Sequence, residues 1–202
     1  IVPLLFIVFT QMDYSPDSIM HLALGTSLAT IIVTSISSLM AHNKKGAVMW
    51  PVFKNLAPGL AIGCFLGAGI AGQISGLYLQ LIVGVFLLWV AYKMFFGGKK
   101  QVISHANDVA GANTELPSKP KQLAAGGVIG IASAIFGIGG GSLTVPYLTR
   151  YGVVMQKAVG TSAACGLPIA IAGALGFMFF GMQQQVDVPN TIGFVHIYAF
   201  LG

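Results

Sequence analysis

The sequence predicts an all-α, polytopic integral membrane protein with duplicated, inverted repeats and broken half-helices. Charged residues make up 7% of the chain and hydrophobic residues 55%, whereas a typical soluble domain carries about 25% charged residues. The stretch 55–92 contains no charged residue and is divided by a glycine-containing turn at 72–76. Each part approaches the roughly 20 apolar residues that cross a bilayer, which predicts a transmembrane helical hairpin.

A polar stretch at 99–121 separates two apolar halves. It contains four lysines together with asparagines and prolines, a composition typical of a linker. We therefore expect a first transmembrane repeat at 1–98, a cytoplasmic linker at 99–121 and a second transmembrane repeat at 122–202. Further uncharged runs that predict membrane crossings lie at 18–43, 122–149, 158–186 and 188–202.

The two halves share short elements in the same order. A Val-Pro-x-Leu element, with Pro3 and Pro146, occurs in each half, and so does a Gly-Thr-Ser element, here called the GTS element, at 25–27 and 160–162. Gly46 and Gly181 each follow the GTS glycine by 21 residues. This order predicts duplication. By the same comparison, we expect about 22 residues of the first repeat before residue 1 and about 30 of the second after residue 202.

The distribution of lysines predicts which loops face the cytoplasm. Lys44, Lys45 and Lys54 lie in one loop and four lysines lie in the linker, while Asp17 precedes the first long apolar run. Positive residues are enriched in cytoplasmic loops, so both lysine-containing loops should be cytoplasmic. Because they flank the hairpin at 55–92, the two arguments agree.

The second half shows the opposite charge order. Arg150 and Lys157 precede its GTS element and Asp187 follows. This reversal predicts inverted repeats, with 122–149 forming a re-entrant pair of half-helices that returns to the cytoplasmic side.

Three adjacent glycines, Gly139, Gly140 and Gly141, lie inside an uncharged run and are followed by Ser142. Consecutive glycines interrupt a helix, and broken backbone at membrane depth must line a cavity or be buried in protein. A helix that restarts near Ser142 would present free N–H groups and its positive dipole end, which suits an anion. A nucleotide-binding loop is disfavoured because no strand precedes the glycines and no lysine follows them. Close helix packing by small residues remains an alternative.

The GTS elements predict further hydrogen-bond donors for the same anion. We expect them to begin their helices, where hydroxyls cap N-termini and free N–H groups point outward, although capping alone explains the same residues. Pro146 lacks an N–H and would fix the direction of the restarted helix. The candidate substrate-binding residues are Gly139, Gly140, Gly141, Ser142, Gly160, Thr161, Ser162, Gly25, Thr26, Ser27, Pro146 and Pro3.

The glycine motif at 137–148, the two GTS elements, and His42 with Gly46 together resemble the TauE/SafE family of sulfite and organosulfonate exporters. The resemblance covers nearly the whole chain. It implies an inner-membrane, multi-pass permease that moves small sulfur-containing anions such as sulfite or sulfonates. Besides the small anionic substrate, the expected partner is the lipid bilayer, and a homo-oligomer is compatible with the sequence.

Other function classes have less support in the residues. A membrane-embedded enzyme or a non-transporting assembly subunit is the alternative, but no acidic residue lies within the apolar runs and no Ser-His or Cys-His pair is locally arranged. We expect no catalytic residue, no metal and no cofactor, and we interpret Cys64 and Cys165 as packing residues. The lysines form no continuous basic face, so nucleic-acid binding is not expected.

Overall fold

The computed structural model describes residues 1–12, 14–97, 117–184 and 188–201. Most of the predicted linker at 99–121 lies outside these residues, and the helix that follows it already begins at Lys119. In chain order the elements are α1 Val2–Gln11, α2 Pro16–Lys44, α3 Trp50–Gln73, α4 Gly76–Gly97, α5 Lys119–Phe136, α6 Gly141–Arg150, α7 Met155–Gln183, β1 Thr191–Ile192, β2 Val195–His196 and α8 Ile197–Leu201.

The predicted all-α membrane architecture is confirmed. Among the described residues, three helices are long and apolar enough to cross a bilayer: Asp17–Lys44, Trp50–Gln73 and Met155–Gln183. A helical hairpin is present, because α3 ends at Gln73 and α4 begins at Gly76. Its first arm is a candidate span, whereas the second is a shorter apolar helix over Gly76–Tyr92. The segment after α7 differs from the uninterrupted run that was expected, since β1 and β2 form a two-residue antiparallel ladder before α8.

Glycines place the central helices in backbone contact. α3 lies between α5 and α7, and α2 packs along α7. Gly59, Gly63 and Gly67 recur every four residues on α3 and face α5; a Cβ built on Gly67 would lie 2.8 Å from the Cα of Ile131. Real Cβ atoms essentially never approach this closely, so these positions require glycine. Such small-residue faces are the usual means of helix association in membranes.

The two halves contain helix pairs of equal length. α1 has 10 residues and α2 has 29, and α6 and α7 have the same two lengths. Pro3 lies at the start of α1, whereas Pro146 lies inside α6. The predicted match of Gly46 with Gly181 is wrong, because Gly46 lies beyond α2 with φ +64° and Gly181 is a buried residue within α7.

Candidate functional site

The helix break at the glycine turn, defined here as residues 137–141, is built from left-handed backbone. α5 ends at Phe136, and Gly137 follows with φ 63° and donates its N–H to the carbonyl of Ser133 at 2.9 Å. Gly139 and Gly140 have φ values of 67° and 77°. Residues other than glycine rarely adopt these angles, so the composition of the turn determines its shape.

The restarted helix leaves a run of backbone donors without acceptors. α6 begins at Gly141, and the carbonyl of Gly140 accepts from the N–H groups of Leu143 at 3.2 Å and Thr144 at 2.9 Å. Within the described part of the chain, no carbonyl or side chain accepts from the N–H groups of residues 139–142. The N-cap residue, Gly140, has no side chain to provide a cap. Free N–H groups and the positive dipole end therefore coincide at this point.

Thr144 adds an unpaired hydroxyl to these N–H groups. Its side chain is fully buried at 0% exposure, and its Oγ1 has no hydrogen-bond partner among the described residues. Buried hydroxyl groups are normally paired, so an orphan of this kind calls for an explanation. Thr144 lies about one helical turn after Gly141, in the same helix that the free N–H groups begin. Thr144 is not among the residues that the sequence predicts for the site, because small hydroxyl residues in membrane helices often bond their own backbone.

Helices α1, α2 and α7 pack on the glycine turn, and Val2 of α1 contacts Gly137. From α2, Leu24 packs on Gly137, Ile31 packs on Gly139, and the Ser27 hydroxyl donates to the carbonyl of Gly137 at 3.4 Å. From α7, Ile169 packs on Gly140 so closely that a Cβ there would collide with it. Gly141 differs, because a Cβ built on it meets no atom within 4 Å. Among the described residues, the first residue of α6 thus has open space beside it, whereas Gly137, Gly139 and Gly140 are tightly packed.

The prediction that GTS elements begin their helices is wrong. α2 begins at Pro16 and α7 at Met155, so Thr26 and Thr161 lie inside these helices. Both side chains are fully buried. Thr26 Oγ1 accepts from the N–H of His196 and Thr161 Oγ1 accepts from the N–H of Met49, each at 3.0 Å. Their hydroxyl oxygens therefore join the two halves of the chain.

The GTS glycines lie at the same contacts between the two halves of the chain. A Cβ on Gly25 would collide with the carbonyl of Phe194, and one on Gly160 would lie 2.5 Å from the carbonyl of Ala47. The segments they contact correspond: Gly46 and Gly193, with φ values of 64° and 57°, each lie three residues before the N–H group that the threonine accepts. Gly193, rather than Gly181, is thus the structural counterpart of Gly46.

The remaining candidate residues occupy varied positions. The Ser162 hydroxyl donates to the carbonyl of Val159 at 2.9 Å, within its own helix. Ser142, Pro146 and Pro3 are exposed on the protein surface. The structure thus brings Ser27 to the glycine turn but places Thr161 against Met49 instead.

A separate cavity of about 510 Å³ lies away from the glycine turn, where α2 begins and α3 turns into α4. This end cavity is lined by Ser15, Asp17, Ser18, His21, Gly72, Gln73, Ile74, Ser75, Gly76, Gln184, Val188 and Phe194. None of the predicted site residues belongs to this lining. The sequence does not single out His21, because the four histidines are too scattered along the chain to indicate a metal site.

These features define a class of protein: a multi-pass membrane transporter with a broken helix at its core. The family model described as "Sulfite exporter TauE/SafE" matches residues 1–202, and the chain belongs to this family. The chain is 32% identical over 203 residues to a "Probable membrane transporter protein" of Haemophilus influenzae, covering 100% of this chain and 73% of that protein.

Other relatives are also described as probable membrane transporter proteins. One from Xylella fastidiosa is 32% identical over 178 residues, covering 87% of this chain and 64% of that protein. Another, YdhB of Bacillus subtilis, is 24% identical over 187 residues, covering 90% of this chain and 73% of that protein. No solved structure matches the chain significantly. The family and these names together support a membrane transporter rather than an enzyme.

Proposed function

We propose that this protein transports small sulfur-containing anions, such as sulfite or organosulfonates, out of the cell, and that it binds them at the glycine turn. The observation that carries this proposal is the set of N–H groups at residues 139–142, which have no acceptor in the described part of the chain. These donors begin a 10-residue helix whose dipole adds positive potential at the same point.

The chemistry of the donor set suits a sulfonate or sulfite group. Both groups carry several acceptor oxygens, and an anionic acceptor forms stronger hydrogen bonds with N–H groups than a neutral one does. The unpaired hydroxyl of Thr144 supplies a further donor. Because these donors are neutral, the site needs no lysine or arginine inside the bilayer, where charged side chains are costly.

The open space beside Gly141 is the proposed position of the bound anion. Leu24, Ile31 and Ile169 close around Gly137, Gly139 and Gly140, whereas the Cβ direction of Gly141 is open. The described residues therefore leave room beside the first turn of α6 at Gly141. An inside-negative potential contributes about 2.3 kcal/mol per charge per 100 mV to the exit of an anion, which is sufficient to drive export.

The experiment is a ligand screen followed by transport. Purified protein is tested by thermal shift against sulfite, methanesulfonate, sulfoacetate, sulfate and acetate, and proteoliposomes are then assayed for uptake of the anions that stabilise it. We expect stabilisation by sulfite or sulfonates and by neither sulfate nor acetate. Uptake that is equal in protein-free liposomes would overturn the proposal.

A matched pair of variants locates the binding site. Gly141→Ala places a methyl group in the open space beside the first turn of α6, and Gly84→Ala adds the same group to α4, where no described atom lies within 4 Å either. Alanine favours helices over glycine by about 1 kcal/mol, so neither change should weaken the fold. We expect Gly141→Ala to lose binding and Gly84→Ala to retain it. Equal binding by both variants would place the anion elsewhere.

A further inference from the structure

Helix α6 carries a second buried hydroxyl without a hydrogen-bond partner, in addition to that of Thr144. The hydroxyl oxygen of Tyr147 is buried and has no partner in the described part of the chain. Tyr147 follows Thr144 by three residues, and residues three apart are neighbours on the surface of a helix. Buried hydroxyls are normally paired, so two neighbouring unpaired ones on a 10-residue helix call for a common explanation.

The two hydroxyls belong to a row of residues at intervals of three along α6. The α6 row is defined here as Gly141, Thr144, Tyr147 and Arg150. Gly141 has open space beside it, and Arg150, the last residue of the helix, is exposed. Each member is a neighbour of the next, so the row winds along the helix from the free N–H groups to a guanidinium group.

The α6 row runs from the middle of the protein to the predicted cytoplasmic side. The glycine turn packs on Ile31, near the middle of α2. Arg150 lies at the other end of α6, five residues before α7 begins. The first turns of α7 are attached to the lysine-containing loop, because Thr161 accepts the N–H of Met49. Helix α6 therefore connects the proposed anion site with the predicted cytoplasmic side of the membrane.

The field of α6 favours movement of an anion along the row toward the glycine turn. A helix dipole is positive at the N-terminus and negative at the C-terminus, so an anion is more stable at the free N–H groups than at the end near Arg150. The positive charge of Arg150 offsets the negative end of the dipole. An anion is thus attracted at Arg150 and held most strongly at residues 139–142.

We propose that the α6 row is the route by which the anion reaches the glycine turn from the cytoplasm, and that the Tyr147 hydroxyl binds the anion on the way. This inference rests on the proposed function. The Thr144 side chain and the Tyr147 hydroxyl are buried, so the row is closed in this structure. It opens when an anion passes, which agrees with the alternating access of transporters. Each hydroxyl then donates a hydrogen bond to the passing anion, which has left its water behind.

Tyr147→Phe is the direct test, because it removes only the hydroxyl. The matched control is Tyr151→Phe, since Tyr151 is the C-cap of α6 and its ring contacts that of Tyr147 with the centroids 5.3 Å apart. We expect the melting temperature of Tyr147→Phe to be unchanged or higher, because the variant no longer buries an unpaired hydroxyl. A lower melting temperature would mean that the hydroxyl stabilises the fold and is not kept free for an anion.

Transport is measured in inverted membrane vesicles, whose outer face is the cytoplasmic one, with radiolabelled methanesulfonate. We expect kcat/KM to fall about tenfold or more in Tyr147→Phe, which loses a hydrogen bond to a charged group, and to remain that of the parent in Tyr151→Phe. The Kd of purified Tyr147→Phe for methanesulfonate should equal that of the parent, because the bound anion rests at the glycine turn. An unchanged kcat/KM would refute the route. A weaker Kd would place Tyr147 in the binding site itself and not on the way to it.

Arg150→Gln tests the entrance of the α6 row. Lys54→Gln is its matched control, because Lys54 is exposed on the same predicted side of the membrane but belongs to α3. Salt screens the attraction of an exposed charge. We therefore expect Arg150→Gln to slow uptake severalfold at low ionic strength and to match the parent at high ionic strength, while Lys54→Gln matches the parent in both. An equal loss in the two variants would assign the effect to the overall charge of this side and would contradict an entrance at Arg150.

The same measurements separate this inference from the proposed function. If vesicles with the parent protein take up no more methanesulfonate or sulfite than vesicles without it, the proposed function fails and the route fails with it. If the parent transports methanesulfonate and both Tyr147→Phe and Arg150→Gln transport it equally well, the proposed function stands and the route along α6 is wrong.

Discussion

Thr26 and Thr161 make the same contact in opposite halves of the chain. Each is buried inside a long helix and accepts, at 3.0 Å, the N–H of a residue that belongs to the other half: His196 for Thr26 and Met49 for Thr161. The two bonds are reciprocal, so the halves hold each other at two equivalent points. The GTS element is therefore a junction between the two halves of the chain.

Replacement of either threonine by valine should destabilise the protein. The substitution keeps the shape but leaves a backbone N–H, buried at His196 and half-buried at Met49, without its acceptor. A buried donor without an acceptor costs about 1–3 kcal/mol, so the larger loss is expected for Thr26→Val. We expect a lower melting temperature for Thr26→Val and for Thr161→Val in detergent. Thr30→Val is the control, because the Thr30 hydroxyl bonds only to the carbonyl of Ser27 in its own helix. A Thr30→Val variant as unstable as the other two would show that the junction bonds contribute little.

The sequence predicts the features that depend on local composition. Apolar length predicts the membrane helices, and the turn between Gln73 and Gly76 follows from the break in that run. The interruption at 137–141 follows from the conformations that glycine permits, and the structure shows positive φ at Gly139 and Gly140.

The role of the GTS elements could not be predicted in the same way. A Gly-Thr-Ser element has the same sequence pattern whether it starts a helix or lies inside one. The hydrogen bond from the Met49 N–H to Thr161 Oγ1 also joins residues that are far apart in the chain. A start signal for α2 was present at Ser15-Pro16, since serine favours the N-cap and proline the first helical position. The lack of a hydrogen-bond partner for the Thr144 hydroxyl likewise could not be predicted, because it depends on which groups the fold places near Thr144 in the described structure.

Gly63 should be among the least tolerant positions in the membrane helices. A Cβ there would collide with the backbone carbonyl of Gly127, which cannot move without separating α3 from α5. We expect Gly63→Ala to lower the melting temperature and the yield of folded protein. Gly84→Ala, in open surroundings on α4, should have no such effect. Equal stability of the two variants would mean that α3 and α5 are not in backbone contact.

The orientation of the chain can be tested with single cysteines. Asn113 belongs to the predicted cytoplasmic linker and lies outside the described residues, while Ser75 is exposed in the turn at the opposite end of α3. Both native cysteines are fully buried, which keeps background labelling low. We expect a membrane-impermeant thiol reagent to label Ser75→Cys in intact cells and Asn113→Cys only after the cells are opened. The reverse pattern would invert the topology.

Gly140→Val should disrupt the glycine turn itself. Its φ of 77° is strained for valine, and the new side chain would collide with Ile169 on α7. We expect lower stability together with the loss of transport, so this variant alone does not separate folding from binding. A Gly140→Val protein with the melting temperature of the parent would show that the turn can adopt another backbone.

Thr144→Val is the variant that best separates an effect on anion binding from an effect on stability. The Thr144 hydroxyl is buried without a partner in the described structure, so its removal relieves a desolvated polar group and should leave the melting temperature unchanged or raise it. If the hydroxyl donates to the bound anion, its loss removes a hydrogen bond to a charged group, worth about 1.5–3 kcal/mol. That corresponds to roughly ten- to a hundredfold weaker binding, measured by titration with sulfite or methanesulfonate.

Thr161→Val provides the contrast, because the same change there breaks the bond from Met49 and costs stability. A Thr144→Val protein that is more stable and binds the anion as tightly as the parent would remove Thr144 from the site, and the free N–H groups would then have to bind the anion without it.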